Sequence, residues 1–343
     1  MQIDTRYIGP EHPPYIIAEL SANHNGNIEQ AFSIMEAAKA AGVDAVKIQT
    51  YRPDTITIDH DGPEFTIKGG LWEGQRLYDL YESAHTPWDW HAELFDKARA
   101  LDITLFSSPF DSTAVDFLED LGAPAYKIAS FELVDLPLIR RVAQTGKPMI
   151  MSTGMADSAE IGEALEAARG ACDIILLHCV SAYPAPASDY NLATLTDMAT
   201  RFGVMTGLSD HTLDNTAAIT AVGLGAVAIE KHVTLDRRSG GPDDSFSLEP
   251  QELAQLVQGA RTAWEARGRV NYGLKPSEKG NVQFRRSLYV VRHIPKGGIV
   301  TADNIRSIRP GFGLAPKHYD EVLGRQVNRD MPRGTPLSWE ALD

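Results

Sequence analysis

Eight short apolar segments recur along the chain, and their spacing constrains the fold more than any other feature of the sequence. They are rich in Val, Ile and Leu and show little polar alternation, which is typical of strands buried on both faces of a parallel sheet. Amphipathic helical stretches separate them. The segments are Tyr15–Leu20, Ala45–Thr50, Thr104–Phe110, Ala125–Ser130, Pro148–Thr153, Ile174–Val180, Val204–Asp210 and Ala226–His232.

The stretch between the first two segments predicts how these helices begin and end. Asn27 followed by Gln30 is typical of an N-cap, and Gly42 stands where a left-handed C-cap belongs. Eight strands alternating with helices predict an α/β fold, a (β/α)₈ TIM barrel. A doubly wound open sheet has similar units, but no glycine-rich dinucleotide loop follows the first segment, so the barrel is the better prediction.

The interval between the second and third segments is unusually long. Segment starts are 21–30 residues apart elsewhere, but 59 residues separate Ala45 from Thr104. The extra segment, Tyr51–Thr86, follows the carboxyl end of the second strand, the end at which barrel active sites are built. We expect it to be a substrate lid or an oligomer contact, and its aromatic residues could equally well only cap the barrel.

After the eighth strand, Pro250 begins a further amphipathic helix, and the periodicity then disappears. We predict a barrel domain over residues 1–267, a linker over 268–284 and a small domain over 285–343. That small domain carries ten Lys+Arg and six Asp+Glu, which is +4, while the whole chain carries −14 and the remainder therefore −18. A basic tail and an acidic barrel should attract each other, within one chain or between two.

Composition excludes several classes of protein. A net charge of −14 disfavours nucleic-acid binding, because such a surface repels phosphate backbones. The longest near-apolar stretch, Ala217–Ile229, is too short to span a bilayer, so no membrane role is expected. No signal peptide is visible, and we expect a cytoplasmic enzyme. Cys172 and Cys179 would lie roughly 23 Å apart in a strand, beyond disulfide reach, so both are expected to be buried free thiols.

Polar side chains collect where the predicted strands end, and a barrel brings those ends together. Two lysines, Lys47 and Lys127, with several hydroxyls suit a small anion that carries phosphate and carboxylate groups. A lysine acting alone could instead form a Schiff base, which would indicate an aldolase. His211 and His232, on neighbouring strands with Glu19 and Glu230 nearby, suit a divalent metal with open coordination positions.

Seven ordered motifs along the barrel resemble the sialic acid synthase family, and the tail resembles the antifreeze-like (SAF, β-clip) domain of that family. The tail motifs are RRSLYV (285–290) and RPGFG (309–313). Within the family, KGGLW, LYDLYESA and TPWDWH in and after the insertion are most similar to the pseudaminic acid synthases. The barrel motifs are AELSANHNG (18–26), KIQTY (47–51), FSSPF (106–110), YKIAS (126–130), STGMA (152–156), GLSDHT (207–212) and IEKHVTLD (229–236).

The resemblance implies a transferase that condenses phosphoenolpyruvate with an open-chain acetamido sugar, with a divalent cation (Mn²⁺, or alternatively Mg²⁺ or Co²⁺) held by His211 and His232. Glu19 matches a carboxylate near the reacting carbon. Positions that grip phosphoenolpyruvate match Lys47, Lys127, Ser130, Ser152, Ser181 and Ser209. Sugar-site positions match Gln49, Glu132, Asp243 and Asp244, with Phe284 as a further candidate.

The resemblance also implies a domain-swapped homodimer in which Arg309 reaches the acyl-amino group of the sugar bound by the partner chain. Three alternatives stay open at this point. The sugar could be N-acetylmannosamine or another diacetamido sugar, giving N-acetylneuraminate or legionaminic acid. The enzyme could be a Schiff-base aldolase, or the chain could be a sugar- or ice-binding protein, a reading that leaves the lysines and histidines at the strand ends without a purpose.

Overall fold

A computed structural model describes all 343 residues, and its largest feature is a closed barrel of eight parallel strands. A short antiparallel hairpin, β1 (Gln2–Ile3) and β2 (Arg6–Tyr7), precedes it. The barrel closes by pairing of its last strand with its first. The closed barrel confirms the predicted fold class. Its strands are β3 (Tyr15–Glu19), β4 (Ala45–Thr50), β5 (Thr104–Pro109), β6 (Tyr126–Ile128), β7 (Met149–Ser152), β8 (Ile174–Cys179), β9 (Met205–Asp210) and β10 (Ala228–His232).

Helices follow the strands and cover the outside of the barrel. The first of them starts as the sequence predicts, because the Asn27 side chain accepts a hydrogen bond from the backbone of Glu29, and it ends at Gly42 in the left-handed region. The helices are α1 (Ile28–Ala41), α2 (Pro53–Ile56), α3 (Leu77–Ala84), α4 (His91–Leu101), α5 (Ser112–Asp120), α6 (Leu136–Ala143), α7 (Ser158–Ala167), α8 (Ala193–Phe202), α9 (Thr216–Gly223) and α10 (Pro250–Arg267). None of the helices combines the length and apolar character needed to cross a bilayer.

Apolar side chains fill the barrel from its amino end. Tyr15, Ile17 and Phe106 belong to a buried cluster that also contains Ile3 and Ile8 next to the β1–β2 hairpin, so the hairpin closes that end. A second and larger cluster lies between the strands and the surrounding helices. The carboxyl end, where the interior turns polar, is therefore the end available for a site.

Strand register brings three predicted site residues to one level of the barrel. Glu19 at the end of β3 pairs with Lys47 of β4 on one side and with His232 of β10 on the other. Residues at one level of a small barrel that point inwards lie close together. The register thus explains why the carboxyl end gathers charged side chains from strands distant in sequence.

The chain divides into two compact units, Met1–Gly268 and Arg269–Asp343. The second unit begins with irregular chain and a 3₁₀ helix, Pro276–Phe284, in the segment predicted as a linker. It continues with an antiparallel pair, β11 (Ser287–Val290) and β12 (Ile305–Ile308), and a short helix, α11 (Tyr319–Val322). Its own apolar core includes Leu288, Val290, Ile305, Val322, Val327, Met331 and Leu337.

Candidate active site

A cavity of about 560 Å³ opens at the carboxyl end of the barrel and contains nearly all of the predicted site residues. Seven of the eight barrel strands contribute side chains to this cavity, and the eighth, β5, is followed directly by Phe110, which also lines it. The predicted residues that line it are Glu19, Lys47, Gln49, Lys127, Ser130, Glu132, Ser152, Ser181, Ser209, His211, His232 and Asp243.

Two lysines and two glutamates form a buried ionic cluster on the cavity floor. The Lys47 Nζ atom lies 2.8 Å from Glu230 Oε1 and 3.1 Å from Glu19 Oε2. Lys127 Nζ lies 3.5 Å from the same Glu230 oxygen. All four side chains are at most 4% exposed, and burying such charges is unfavourable unless they are paired. An anion that binds here would therefore add negative charge to a cluster in which the lysines and glutamates are paired with each other.

The pKa values of the two lysines in this cluster shift in opposite directions. Burial lowers the pKa of Lys47, but Glu19 and Glu230 outweigh it, and the net shift is upwards. Burial also lowers the pKa of Lys127, and Glu230 compensates only in part, so the net shift is downwards. Burial raises the pKa of Glu19 against the pull of Lys47. Lys47 is thus the permanent cation, while Lys127 gains most from an added anion.

Serine hydroxyls approach the loop that follows β7 very closely. The backbone N–H of Gly154 donates to Ser130 Oγ at 3.1 Å. A Cβ at position 154 would lie 2.2 Å from Ser181 Oγ and 2.7 Å from Ser130 Oγ, so only glycine fits there. The hydroxyl of Ser152, two residues before Gly154 at the end of β7, is buried and has no hydrogen-bond partner within the protein. These hydroxyls are suited to an anion held beside the lysines.

His211 and His232 lie beside each other at the ends of the neighbouring strands β9 and β10, with ring centroids 5.5 Å apart and ring planes at 66°. His211 Nδ1 lies 2.8 Å from the Val180 carbonyl oxygen, which accepts only, so this nitrogen carries the proton. His232 Nδ1 is buried without a hydrogen-bond partner and lies 3.7 Å from Asp243 Oδ2. Burial holds the pKa of His232 well below its usual value, which keeps the imidazole neutral, as a metal ligand must be.

The two imidazoles are near enough to each other to bind one divalent ion, although burial lowers the pKa of His211 less than Cys179 and the Val180 carbonyl raise it. No group of three or more His, Cys, Asp or Glu side chains is arranged to hold a metal ion. The protein would thus supply a pair of ligands, and substrate and water would take the other positions.

Lys231, which the sequence analysis did not single out, fixes the loop that carries His211. Its ammonium donates to Asp210 Oδ2 at 2.7 Å and to the carbonyl oxygens of Thr212 and Asp214, each at 2.6 Å. These residues flank His211 on both sides, and the Lys231 side chain is 2% exposed. Because these bonds hold the backbone on both sides of His211, Lys231 is a positioning residue for that side chain.

Cys179 and Tyr183 also line the cavity, and neither was predicted to do so. Both cysteines are free thiols, as expected, but only Cys179 is buried and Cys172 is partly exposed. Burial raises the pKa of the Cys179 thiol, but the neighbouring His211, Ser130 and Lys127 together outweigh it and lower the pKa to about 7. The Tyr183 ring packs 4.3 Å from the His211 ring, centroid to centroid. Cys179, Ser181 and Tyr183 alternate along one chain segment, and alternate residues of an extended chain point to the same side. The prediction of Ser181 as a site residue could therefore have indicated the other two.

Glu132 reaches the cavity from the 3₁₀ turn Ser130–Glu132 after β6. Its Oε2 atom is buried without a hydrogen-bond partner. Burial raises the pKa of the carboxyl group to about 7, and the nearby Lys127 opposes this only in part. Glu132 can therefore hold or release a proton near neutral pH.

The insertion after β4 contributes part of the cavity wall. Its apolar side chains Ile56, Ile67, Trp72, Leu77 and Leu80 line the cavity wall, and we call these five residues the roof. Arg76 organises the insertion, since its guanidinium binds the carboxylates of Asp59, Asp61 and Asp79. The segment thus contributes part of the cavity wall, and its role as a lid, an oligomer contact or a cap stays a prediction.

Three predicted residues lie elsewhere. Asp244 does not line the cavity, because its carboxylate accepts hydrogen bonds from Thr234, Gly241 and Asn25 and so shapes the loop after β10. Phe284, which ends the 3₁₀ helix of the second unit, and Arg309, which follows β12, both belong to the second unit. Their approach to the cavity of a partner chain stays a prediction.

Comparisons with known proteins agree with this architecture. The sequence model described as the NeuB family matches residues 34–272, and that of the SAF domain matches residues 285–343. The chain is 44% identical to a pseudaminic acid synthase of Helicobacter pylori over 96% of this chain and 98% of the relative. It is 34% identical to the N,N'-diacetyllegionaminic acid synthase of Legionella pneumophila, covering 96% and 94%.

A solved structure is similar over most of the chain. The N-acetylneuraminic acid synthetase of Leptospira borgpetersenii, crystallised with citrate, superimposes with a TM-score of 0.75 at 29% sequence identity. The match covers 83% of this chain and 95% of that one.

Proposed function

The chain belongs to the NeuB family, and we propose that it synthesises pseudaminic acid from phosphoenolpyruvate and 2,4-diacetamido-2,4,6-trideoxy-altropyranose, with release of phosphate. One observation carries this proposal. Two buried lysines, a set of serine hydroxyls and a pair of histidines line a single cavity of about 560 Å³. The 44% identity to a pseudaminic acid synthase supports the choice of sugar.

The proposed reaction forms one carbon–carbon bond and breaks one carbon–oxygen bond. C3 of phosphoenolpyruvate attacks the aldehyde carbon of the open-chain sugar, whose oxygen takes up a proton, and positive charge develops at C2. Water adds at C2 and loses a proton. The resulting tetrahedral intermediate expels phosphate together with the bridging oxygen, which leaves a 2-keto acid.

The cavity floor is suited to holding phosphoenolpyruvate. Lys47 and Lys127 would pair with its phosphate and carboxylate groups, while Ser130, Ser152 and Ser181 donate hydrogen bonds. Ser209 lies on the same floor. The downward-shifted pKa of Lys127 would rise when the anion binds, because an added negative charge favours the ammonium form.

Glu19 and Glu132 are suited to moving protons in the same cavity. Glu19 lies beside Lys47, and burial raises its pKa, so it can accept the proton of the attacking water or stabilise the cation at C2. Glu132, Gln49 and Asp243 line the same cavity and would contact the sugar. The Gln49 side chain is oriented by donating to Glu19 Oε1 at 2.9 Å.

His211 and His232 would hold the divalent cation, for which Mn²⁺ is expected and Mg²⁺ or Co²⁺ are alternatives. A bound cation would polarise the sugar aldehyde as a Lewis acid. The protein's own contribution is orientation, since the Val180 carbonyl fixes the tautomer of His211 and Lys231 fixes its loop.

We further propose a domain-swapped homodimer in the cytoplasm, in which the partner chain supplies Arg309. The charge difference between the acidic residues 1–284 and the basic residues 285–343 supports this assembly. A molar mass measured by light scattering that corresponds to a single chain would contradict it.

Phosphate release tests the proposed reaction. The protein is incubated with phosphoenolpyruvate, Mn²⁺ and one of three sugars: the altro-configured 6-deoxy diacetamido sugar, its manno-configured isomer, or N-acetylmannosamine. The expected result is the highest kcat/KM with the altro sugar. Turnover of N-acetylmannosamine at least as efficient as that of the altro sugar would contradict the proposed substrate.

A Schiff-base aldolase is the alternative from another enzyme class, and the lowered pKa of Lys127 is the observation that favours it. Borohydride in the presence of pyruvate would trap such an enzyme covalently. We expect no trapping and expect EDTA to abolish phosphate release, whereas activity that survives EDTA would favour the aldolase.

A further inference from the structure

Two tyrosines of the cavity lining have no role in the site described so far. Tyr51 directly follows β4, Tyr81 lies on α3 of the insertion, and both side chains line the cavity. Neither phenol hydroxyl has a hydrogen-bond partner within the protein. A polar group that loses water without gaining a new partner is unfavourable. A ligand that displaces water from this part of the cavity must therefore supply partners for the two phenols.

The position of Tyr51 relative to the floor indicates which ligand that is. Lys47, Gln49 and Tyr51 alternate along β4 and the residue after it, and all three line the cavity. Alternate residues of an extended chain point to the same side, so Tyr51 lies one step further from the floor than Gln49. The apolar cluster at the amino end of the barrel closes the other side of the floor. A molecule that reacts with an anion bound at Lys47 must therefore lie on the side of Gln49 and Tyr51.

Aromatic packing holds the two phenols in place. The Tyr51 ring packs edge-on against the Tyr81 ring at a centroid distance of 5.8 Å and against the Phe110 ring at 5.0 Å. The backbone carbonyl of Tyr51 accepts a hydrogen bond from the Trp88 indole at 3.0 Å, and Tyr51 is 2% exposed. Because the rings are already oriented, a ligand that binds them orders few additional groups.

The side chains near the phenols are carboxyl groups rather than cations. Burial raises the pKa of Tyr51, and the nearby Asp243 raises it further. Burial also raises the pKa of Tyr81, and the nearby Glu132 adds to this shift. Both phenols therefore keep their protons near neutral pH and donate, while the carboxylates accept and repel a second anion. These surroundings suit a neutral ligand whose groups both accept and donate hydrogen bonds.

We infer that Tyr51 and Tyr81 are sugar-binding residues whose phenol groups donate hydrogen bonds to hydroxyl or acetamido oxygens of the sugar. The inference rests on the proposed function and concerns which side chains hold the sugar rather than which acetamido sugar is used. Asp243 and Glu132 accept hydrogen bonds from the O–H or N–H groups of the same sugar. Through Tyr81, the insertion contributes a polar contact to the substrate.

The test removes each phenol hydroxyl and keeps the ring, with the variants Tyr51→Phe and Tyr81→Phe. Tyr78→Phe is the matched control, because Tyr78 lies one turn before Tyr81 on the same helix and does not line the cavity. Values of kcat and KM are measured with Mn²⁺, saturating phosphoenolpyruvate and whichever of the three sugars named above the wild type uses best. Calorimetry measures the Kd for phosphoenolpyruvate, and urea unfolding measures the midpoint of each variant.

Each cavity variant should lower kcat/KM for the sugar by roughly 3- to 10-fold, the effect of one neutral hydrogen bond, while Tyr78→Phe leaves it unchanged. The Kd for phosphoenolpyruvate should not change. The urea midpoint should stay the same or rise, because the free protein loses no hydrogen bond, whereas a merely structural role would lower it.

Wild-type kcat/KM for the sugar in either cavity variant would overturn the inference and leave the proposed function standing. A lowered urea midpoint, or an equal loss of phosphoenolpyruvate binding, would also overturn it. If the wild type turns over none of the three sugars, the proposed function fails and the inference fails with it.

Discussion

Replacing each floor lysine by methionine should separate the structural role of these lysines from their role in binding phosphoenolpyruvate. Methionine keeps most of the side-chain volume and removes the charge. Lys47 lies 2.8 Å from Glu230 and 3.1 Å from Glu19, whereas Lys127 has one carboxylate contact, at 3.5 Å. The two substitutions thus remove different numbers of ion pairs from the same buried cluster.

The distances predict the size of this difference. With an effective dielectric constant of about 20, the two Lys47 pairs correspond to about 6 and 5 kcal/mol of Coulomb attraction, and the Lys127 pair to about 5 kcal/mol. Desolvation offsets much of this attraction, and breaking a buried pair typically costs about 3–5 kcal/mol. We expect Lys47→Met to lower the free energy of unfolding by about that amount, because two carboxylates lose their cation, and Lys127→Met by roughly half as much.

Urea unfolding at pH 7 measures the stability difference, and calorimetry measures phosphoenolpyruvate binding. Both variants should raise the Kd for phosphoenolpyruvate, by about 10- to 100-fold each, since charge-assisted hydrogen bonds contribute about 1.5–3 kcal/mol. Equal destabilisation by the two substitutions would refute the assignment of Lys47 as the main partner of the glutamates. Unchanged binding in either variant would refute the assignment of the floor as the site for phosphoenolpyruvate.

Three further predictions concern other parts of the site. The folded-state pKa of Glu132 is about 7 and its unfolded value is near 4.5, so the stability of the wild type should fall as the pH rises through that window. Glu132→Gln should remove this loss, which urea unfolding should show as up to about 3 kcal/mol at pH 8. Parallel stability curves for the two proteins across this pH range would contradict the prediction. Lys231→Met should weaken Mn²⁺ binding, measured by electron paramagnetic resonance, by about 10- to 100-fold without changing the Kd for phosphoenolpyruvate, and unaltered Mn²⁺ affinity would rule out its positioning role. Arg309→Ala should raise KM for the sugar by about 10- to 100-fold while phosphoenolpyruvate binding survives, and an equal loss of both would make the second unit only structural.

The sequence predicts the fold and the cavity floor well because both depend on local patterns. Strands buried on both faces have a distinctive composition, and a closed barrel necessarily brings their carboxyl ends together. Lys47, Lys127, His211 and His232 therefore reach one cavity, although more than 180 residues separate the first from the last.

Other parts of the site depend on contacts that no local pattern encodes. Lys231 points away from the cavity on β10, and only the structure shows that its ammonium binds the loop around His211. The roof depends on a hydrogen bond from Trp72 to Pro242, 170 residues away. Asp244 differs from its neighbour Asp243 because a 3₁₀ turn directs the Asp244 carboxylate into hydrogen bonds within its own loop. Such features need the folded chain, because the fold and not the spacing along the sequence determines which groups become hydrogen-bond partners.

The fate of the bridging oxygen of phosphoenolpyruvate tests the central claim most directly. The protein is incubated with the 6-deoxy diacetamido sugar, Mn²⁺ and phosphoenolpyruvate that carries ¹⁸O in the C–O–P bridge, and both products are analysed by mass spectrometry. Addition of water at C2 predicts a nine-carbon-backbone keto acid without the label and phosphate that carries all of it. Label retained in the keto acid, or a product that lacks the three carbons of phosphoenolpyruvate, would contradict the proposed condensation.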